Sequence, residues 1–171
     1  KFYVFLENSR ERMQLDIGFG DTITAGPVEI EFPTLLDFPA PKLKVYSIET
    51  AIAEKFEAIV SLQLQTSRMK DFYDILFFAE HYNFKKETLI QAITTTFNNR
   101  STDLESSKAI FEVKFKKNER FQNLWKAFLD RNKLENDKTF SEVVAQIQSF
   151  IQPVFDSETN NNWNPNKWKW E

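Results

Sequence analysis

"VYSIETAIAEKFEAIVSLQLQTSRMKDFYDI", residues 45–75, decides how this chain folds, because the periodicity of its apolar residues changes at Ser47. Before that point apolar residues alternate, as on a half-buried strand; after it they recur at helical spacing. Ser47 reads as an N-cap, and Glu49 in the first turn complements the positive helix terminus. The pattern predicts a helix from Ile48 to about Leu64 whose apolar arc gathers Ile48, Ala51, Ile52, Phe56, Ile59 and Leu62, with Glu54, Glu57 and Ser61 opposite. Lys55 falls inside the apolar arc. An ammonium cannot be buried unpaired without a large cost. Lys55 therefore either packs its stem and lifts its head to solvent, or lines a cleft where phosphate or a carboxylate meets it.

After the polar break Gln65-Thr66-Ser67, a second helix is predicted over about Met69 to Tyr82, burying Phe72, Ile75, Leu76 and Ala79. Asp71 sits on the margin of that arc and in the first turn, where backbone amides favour an ionised carboxylate. Asp74 turns further toward solvent. The two aspartates are three residues apart and share a side of the helix, so they could orient a hydroxyl or bind a cation. Arg68 and Lys70 flank Asp71, as a solvated face or as the docking point of an anion.

Upstream, the first 46 residues are strand-like. "MQLDIGF" (13–19) places Met13, Leu15, Ile17 and Phe19 on one face and Asp16 on the other, as a solvent-facing residue or a metal ligand. "VEIEF" (28–32) turns Val28, Ile30 and Phe32 inward, and "KLKVYS" (42–47) is a third strand. Downstream, helices are predicted over about 86–97, 118–132 and 140–155, the last opened by a capping box from Thr139 to Glu142. Between the first two come a polar loop, 98–107, and a strand or extended segment, "AIFEVKFKK" (109–117). Lys108, Lys114, Lys116 and Lys117, with Arg120, form either a solvated face or a strip that could track a nucleic-acid backbone. The tail, 156–171, is asparagine-rich and low in complexity; Trp163, Trp168 and Trp170 either stack on bases or tack it onto the body.

Composition narrows the chemistry. With 22 Lys and Arg against 25 Asp and Glu, net charge −3, the chain is no globally basic nucleic-acid binder. It has no cysteine and one histidine, which removes thiolate chemistry, disulfides and histidine-rich metal sites. Three glycines cannot build a Gly-rich phosphate loop. No apolar run has membrane-spanning length and no signal peptide is visible, so no membrane partner and a cytoplasmic location are expected. The chain opens on Lys1 in the apolar run "KFYVFLE", which reads as the C-terminal part of a longer protein.

"LDIGFGD" (15–21), "VYSIETAIAEKFEAIV" (45–60), "SRMKDFYDI" (67–75) and, more loosely, "LWKAFLDRN" (124–132) resemble the AbiEii/AbiGii nucleotidyltransferase toxin family in this order. The resemblance implies an α+β chain: residues 1–46 as the remnant of a polymerase-β-like nucleotidyltransferase sheet, then a helical bundle over 47–155, then the tail. It implies transfer of a nucleotide from an NTP, with Mg²⁺, to an RNA (such as tRNA) or protein hydroxyl, by a toxin of a bacterial toxin–antitoxin or phage-defence system with an antitoxin partner. Asp16 then corresponds to a carboxylate completing the metal site and able to help deprotonate the acceptor, Lys55 to the lysine facing the triphosphate, and Asp71 to the acidic residue after it, with Asp74 as a further candidate. Arg68 and Lys70 would lie on the nucleotide side. The family's Gly-Ser or Gly-Gly turn with its following acidic pair is absent, so the chain alone is expected to be catalytically incomplete. The alternative is a non-catalytic helical module that binds an antitoxin or RNA.

Overall fold

The computed structural model describes residues 1–17, 26–158 and 160–171. Its order is two β-hairpins followed by a helical body, consistent with the α+β expectation. Strands β1 (Phe2–Leu6) and β2 (Ser9–Met13) form one antiparallel ribbon, and β3 (Val28–Glu31) and β4 (Lys42–Val45) form another. In the second, Val28 faces Val45 and Ile30 faces Leu43, while Glu29 faces Lys44 and Glu31 faces Lys42. This is the two-residue alternation seen in the sequence. The inward burial expected for Val28 and Phe32 is not seen: both are exposed, because a two-stranded ribbon supplies no second layer to cover its apolar face. The strand expected over 13–19 is also shorter. β2 stops at Met13, residues 14–17 belong to no strand, and Gly18 and Phe19 lie outside the described residues.

Helix α1 (Ile48–Leu62) starts where the pattern places it, with the Ser47 hydroxyl accepting from the Thr50 amide. α2 (Met69–His81) follows a single turn of 3₁₀ helix. A short strand β5 (Phe84–Lys85) leads into α3 (Lys86–Asn99), which packs on α1. The extended segment expected over 109–117 is instead helical: a 3₁₀ stretch, Leu104–Phe111, and one turn of α-helix, α4 (Val113–Lys116). The reason is burial at two positions, Ile110 and Phe115, whose spacing no strand could bring to the same core. α5 (Glu119–Asn132) and α6 (Phe140–Ile151) close the body, α6 with the full Thr139/Glu142 capping box.

Phenylalanines dominate the core. Phe140 meets Phe72, Phe115, Phe121 and Trp125 with centroids 5.0 to 6.4 Å apart, so α2, α4, α5 and α6 converge on one ring cluster. The tail joins this body. β6 (Asn162–Asn164) pairs with β5, and β7 (Lys169–Trp170) pairs with β6. The Trp163 and Trp170 rings are buried on Phe150, and their indole N–H groups donate to the Ala79 and Phe150 carbonyls at 2.8 and 3.0 Å. The Trp168 indole N–H donates to Ser149 Oγ at 2.9 Å, so of the two roles expected for these tryptophans the structure shows the one that tacks the tail onto the body, as a hairpin against α6.

Candidate functional site

The odd lysine of α1 finds its counter-charges on α2. The two helices pack side by side, so Lys55 lies across from the first turn of α2. Its Nζ is 2.6 Å from Asp74 Oδ2 and 3.3 Å from Asp71 Oδ1. Arg68 pairs with the other oxygen of Asp71, and Lys70 lies 2.6 Å from Asp74 Oδ2. Spacing along α2 produces the last two pairs: 68 to 71 is i, i+3 and 70 to 74 is i, i+4. The side chains are 23% (Lys55), 5% (Asp71) and 15% (Asp74) exposed, against 55% and 71% for Arg68 and Lys70. The centre is sheltered and the outer cations are wet. Asp71 is more buried than Asp74, as the helical wheel requires.

The electrostatics follow from that layering. Burial by itself pulls the Lys55 ammonium down; the hydrogen bond and charge of Asp74, with the charge of Asp71, outweigh it and hold Lys55 above its ordinary value. The Asp71 hydrogen bond and charge likewise raise Arg68 against a small opposing effect of burial. Lys55 thus stays a cation, whereas a lysine base would need a lowered value.

Asp16 is not brought into this cluster. It is exposed, and its carboxylate accepts from Gln14 Nε2 at 2.8 and 3.1 Å. Among the described residues no group of three His, Asp or Glu converges as a bound cation would need. The wider grooves lie elsewhere: about 930 Å³ between residues 104–112 and the C-terminal part of α6, and about 480 Å³ beside β5 and β6. Lys55 and the aspartates line neither; they form a sheltered charged cluster between α1 and α2, bordered by the exposed Arg68 and Lys70.

The lysine strip is only partly available. Lys108 pairs with Glu105, and Lys116 donates to Gln148 at 2.5 Å, while Lys114 and Lys117 are exposed. The sequence also missed one charged group. Glu57, placed opposite the apolar arc, is buried, paired with Arg100 at 2.8 Å and accepting from Thr102 at 2.5 Å. α3 covers that side of α1, and Thr102 and Arg100 at its end satisfy the carboxylate. Nothing in the helical wheel of α1 alone could signal this, because the covering element is distant in sequence.

Among the described residues no helix is long and apolar enough to cross a membrane. No curated protein and no solved structure matches the chain. A protein-family model does, over residues 1–146, spanning both hairpins, the Lys55–Asp71–Asp74 cluster and the start of α6. It is that of the nucleotidyl transferase AbiEii toxin of type IV toxin–antitoxin systems, and the chain belongs to this family.

Proposed function

We propose that Lys55 receives the phosphates of an NTP in a nucleotidyl transfer to an RNA or protein hydroxyl, as the toxin half of a toxin–antitoxin pair. One observation carries this reading: a sheltered lysine, kept cationic, is held between two carboxylates of the next helix, with exposed Arg68 and Lys70 beside it. Asp71, gripped by Arg68, keeps Lys55 aimed, while Asp74 is the carboxylate a phosphate oxygen can replace, because it is the wetter of the two. Arg68 and Lys70 then flank the incoming anion. Such transfers develop charge on phosphate oxygens, which a fixed cation offsets. Mg²⁺ is expected to arrive with the triphosphate, with Asp16 as this chain's proposed ligand and as an aid in deprotonating the acceptor. Lys108, Lys114, Lys116 and Lys117 are proposed as contacts for an RNA acceptor, in the cytoplasm of a bacterium and in a phage-defence setting.

The alternative, a non-catalytic module binding an antitoxin or RNA, draws on the same cluster. Both carboxylates already have cation partners, as a purely structural network would require. Calorimetry of the intact protein with each of the four NTPs and Mg²⁺ separates the two readings. Binding should be seen in the wild type, be lost in Lys55→Ala and return in part in Lys55→Arg. Equal binding by Lys55→Ala, or no binding by any of the three, overturns the proposal and leaves the module.

A further inference from the structure

The register of the first hairpin sorts its side chains into two unlike faces. Directly opposed residues share a face, and so do residues two apart on one strand. Phe2 faces Met13, Val4 faces Glu11 and Leu6 faces Ser9 on one side; Tyr3 faces Arg12 and Phe5 faces Arg10 on the other. The first side is the apolar one. The second consists of two aromatic rings and two guanidinium groups, with no acid among them. Tyr3 and Phe5 are 51% and 69% exposed. The Arg10 guanidinium lies 3.7 Å from the Tyr3 centroid and 5.9 Å from that of Phe5, so ring, cation and ring are already arranged in a shallow stack.

We infer that this face binds single-stranded nucleic acid, with bases stacking on Phe5 and on the Arg10 plane, and with Arg10 and Arg12 meeting the phosphates. Three observations converge. The chain as a whole is acidic, net −3, yet these four residues carry two positive charges and no negative one, so the complementarity is local and points to a polyanion. A polyanion without rings would gain nothing from exposed aromatics, whereas stacked bases would, at about 1–3 kcal/mol each. The hairpin's apolar side, not this one, is the side that other protein surface would cover. The four lysines of residues 108–117 offer less, since Lys108 and Lys116 are already held by Glu105 and Gln148. The inference does not use the nucleotide site and stands or falls apart from it.

The test is fluorescence anisotropy of the intact protein with labelled oligouridylate and oligodeoxythymidylate twelve-mers across a salt series. Both should bind, within a few-fold of one another, because the contacts are phosphate charges and ring faces. Arg10→Ala/Arg12→Ala should weaken binding at least about tenfold and flatten the slope of log K against log salt by about 1.4, two phosphates' worth for a single strand. Phe5→Leu should weaken it several-fold at unchanged slope, and Arg10→Lys/Arg12→Lys should keep the slope while losing affinity. Circular dichroism confirms that each variant folds. Lys55→Ala should leave these affinities unchanged while abolishing NTP binding, so failure of one reading does not pass to the other. No binding at low salt, a silent double variant, or equal binding of a polyglutamate peptide overturns the inference, the last by assigning the face to an acidic protein.

Discussion

The helical body and the two hairpins ahead of it use the same residue types to opposite ends. In the body Phe72, Phe121, Phe140 and Phe150 are buried; in the hairpins Phe2, Phe5 and Phe32 are open to solvent. In the body charged groups on the inner faces of helices are paired, Lys55 with Asp71 and Asp74, Glu57 with Arg100. On the first hairpin Arg10 lies over rings instead. Stability should reside in the first region and ligand contact in the second, since two-stranded ribbons are marginal alone and open locally at low cost.

The largest effect expected from that contrast pits one buried aromatic against one exposed aromatic. Trp163→Ala removes an indole packed on Phe150 and the hydrogen bond to Ala79, and should cost about 3–5 kcal/mol in urea unfolding. Phe5→Ala should change the same unfolding free energy by no more than about 0.5 kcal/mol. A large loss from Phe5→Ala would mean that the hairpin unfolds together with the body, and the contrast would fail.

Charge gives the next effect. Glu57→Gln keeps the contact with Thr102 but leaves Arg100 facing a neutral amide at a buried site, for a loss of about 1–2 kcal/mol. Lys55 adds a pH signature. Its folded value is raised, so its ion pairs contribute fully below the ordinary lysine value of 10.5 and lose that contribution as pH rises through the folded value. Lys55→Met should therefore be less stable than wild type at neutral pH, and the gap should close under strongly alkaline conditions. A gap that is constant with pH would mean that the stem of Lys55, and not its charge, does the stabilising.

How much of this was legible follows from how local each signal is. Ser47, Thr139 and Glu142 announced helix starts because a cap is decided within four residues. Lys55 was readable as a cation on an apolar arc that needed either solvent or a counter-charge; periodicity alone did not say that Asp71 and Asp74 would supply it. The attachment of the tail was readable as one of two roles for its tryptophans, though its pairing with β5 was not. Two further features were not readable: Glu57 looked solvent-facing until α3 covered it, and residues 109–117 looked extended until Ile110 and Phe115 were drawn into the core. Each depends on a partner far away in the chain. The strand expected over 13–19 differs in another way: alternation predicted it, but β2 ends at Met13 and residues 14–17 are in no strand, since alternation alone cannot hold a strand.

The smallest effects sharpen the comparison most, because the same local change can be made in both regions. Lys133 ends α5 in the left-handed conformation, φ 53° and ψ 41°, and Glu7 turns the first hairpin at φ 51°. Glycine adopts these angles without the steric cost other residues incur. Lys133→Gly should raise the unfolding free energy by about 0.5–1 kcal/mol, and the global urea midpoint with it, part of the gain being offset by the greater freedom of glycine in the unfolded chain. Glu7→Gly relieves the same local strain between β1 and β2, yet it should leave the global midpoint unchanged, because the ribbon opens before the body does. Its effect should appear only as slower amide exchange across the Tyr3–Arg12 and Phe5–Arg10 rungs. If both glycines raise the midpoint equally, the hairpin and the helices form one cooperative unit, and the open aromatic face is held as rigidly as the core.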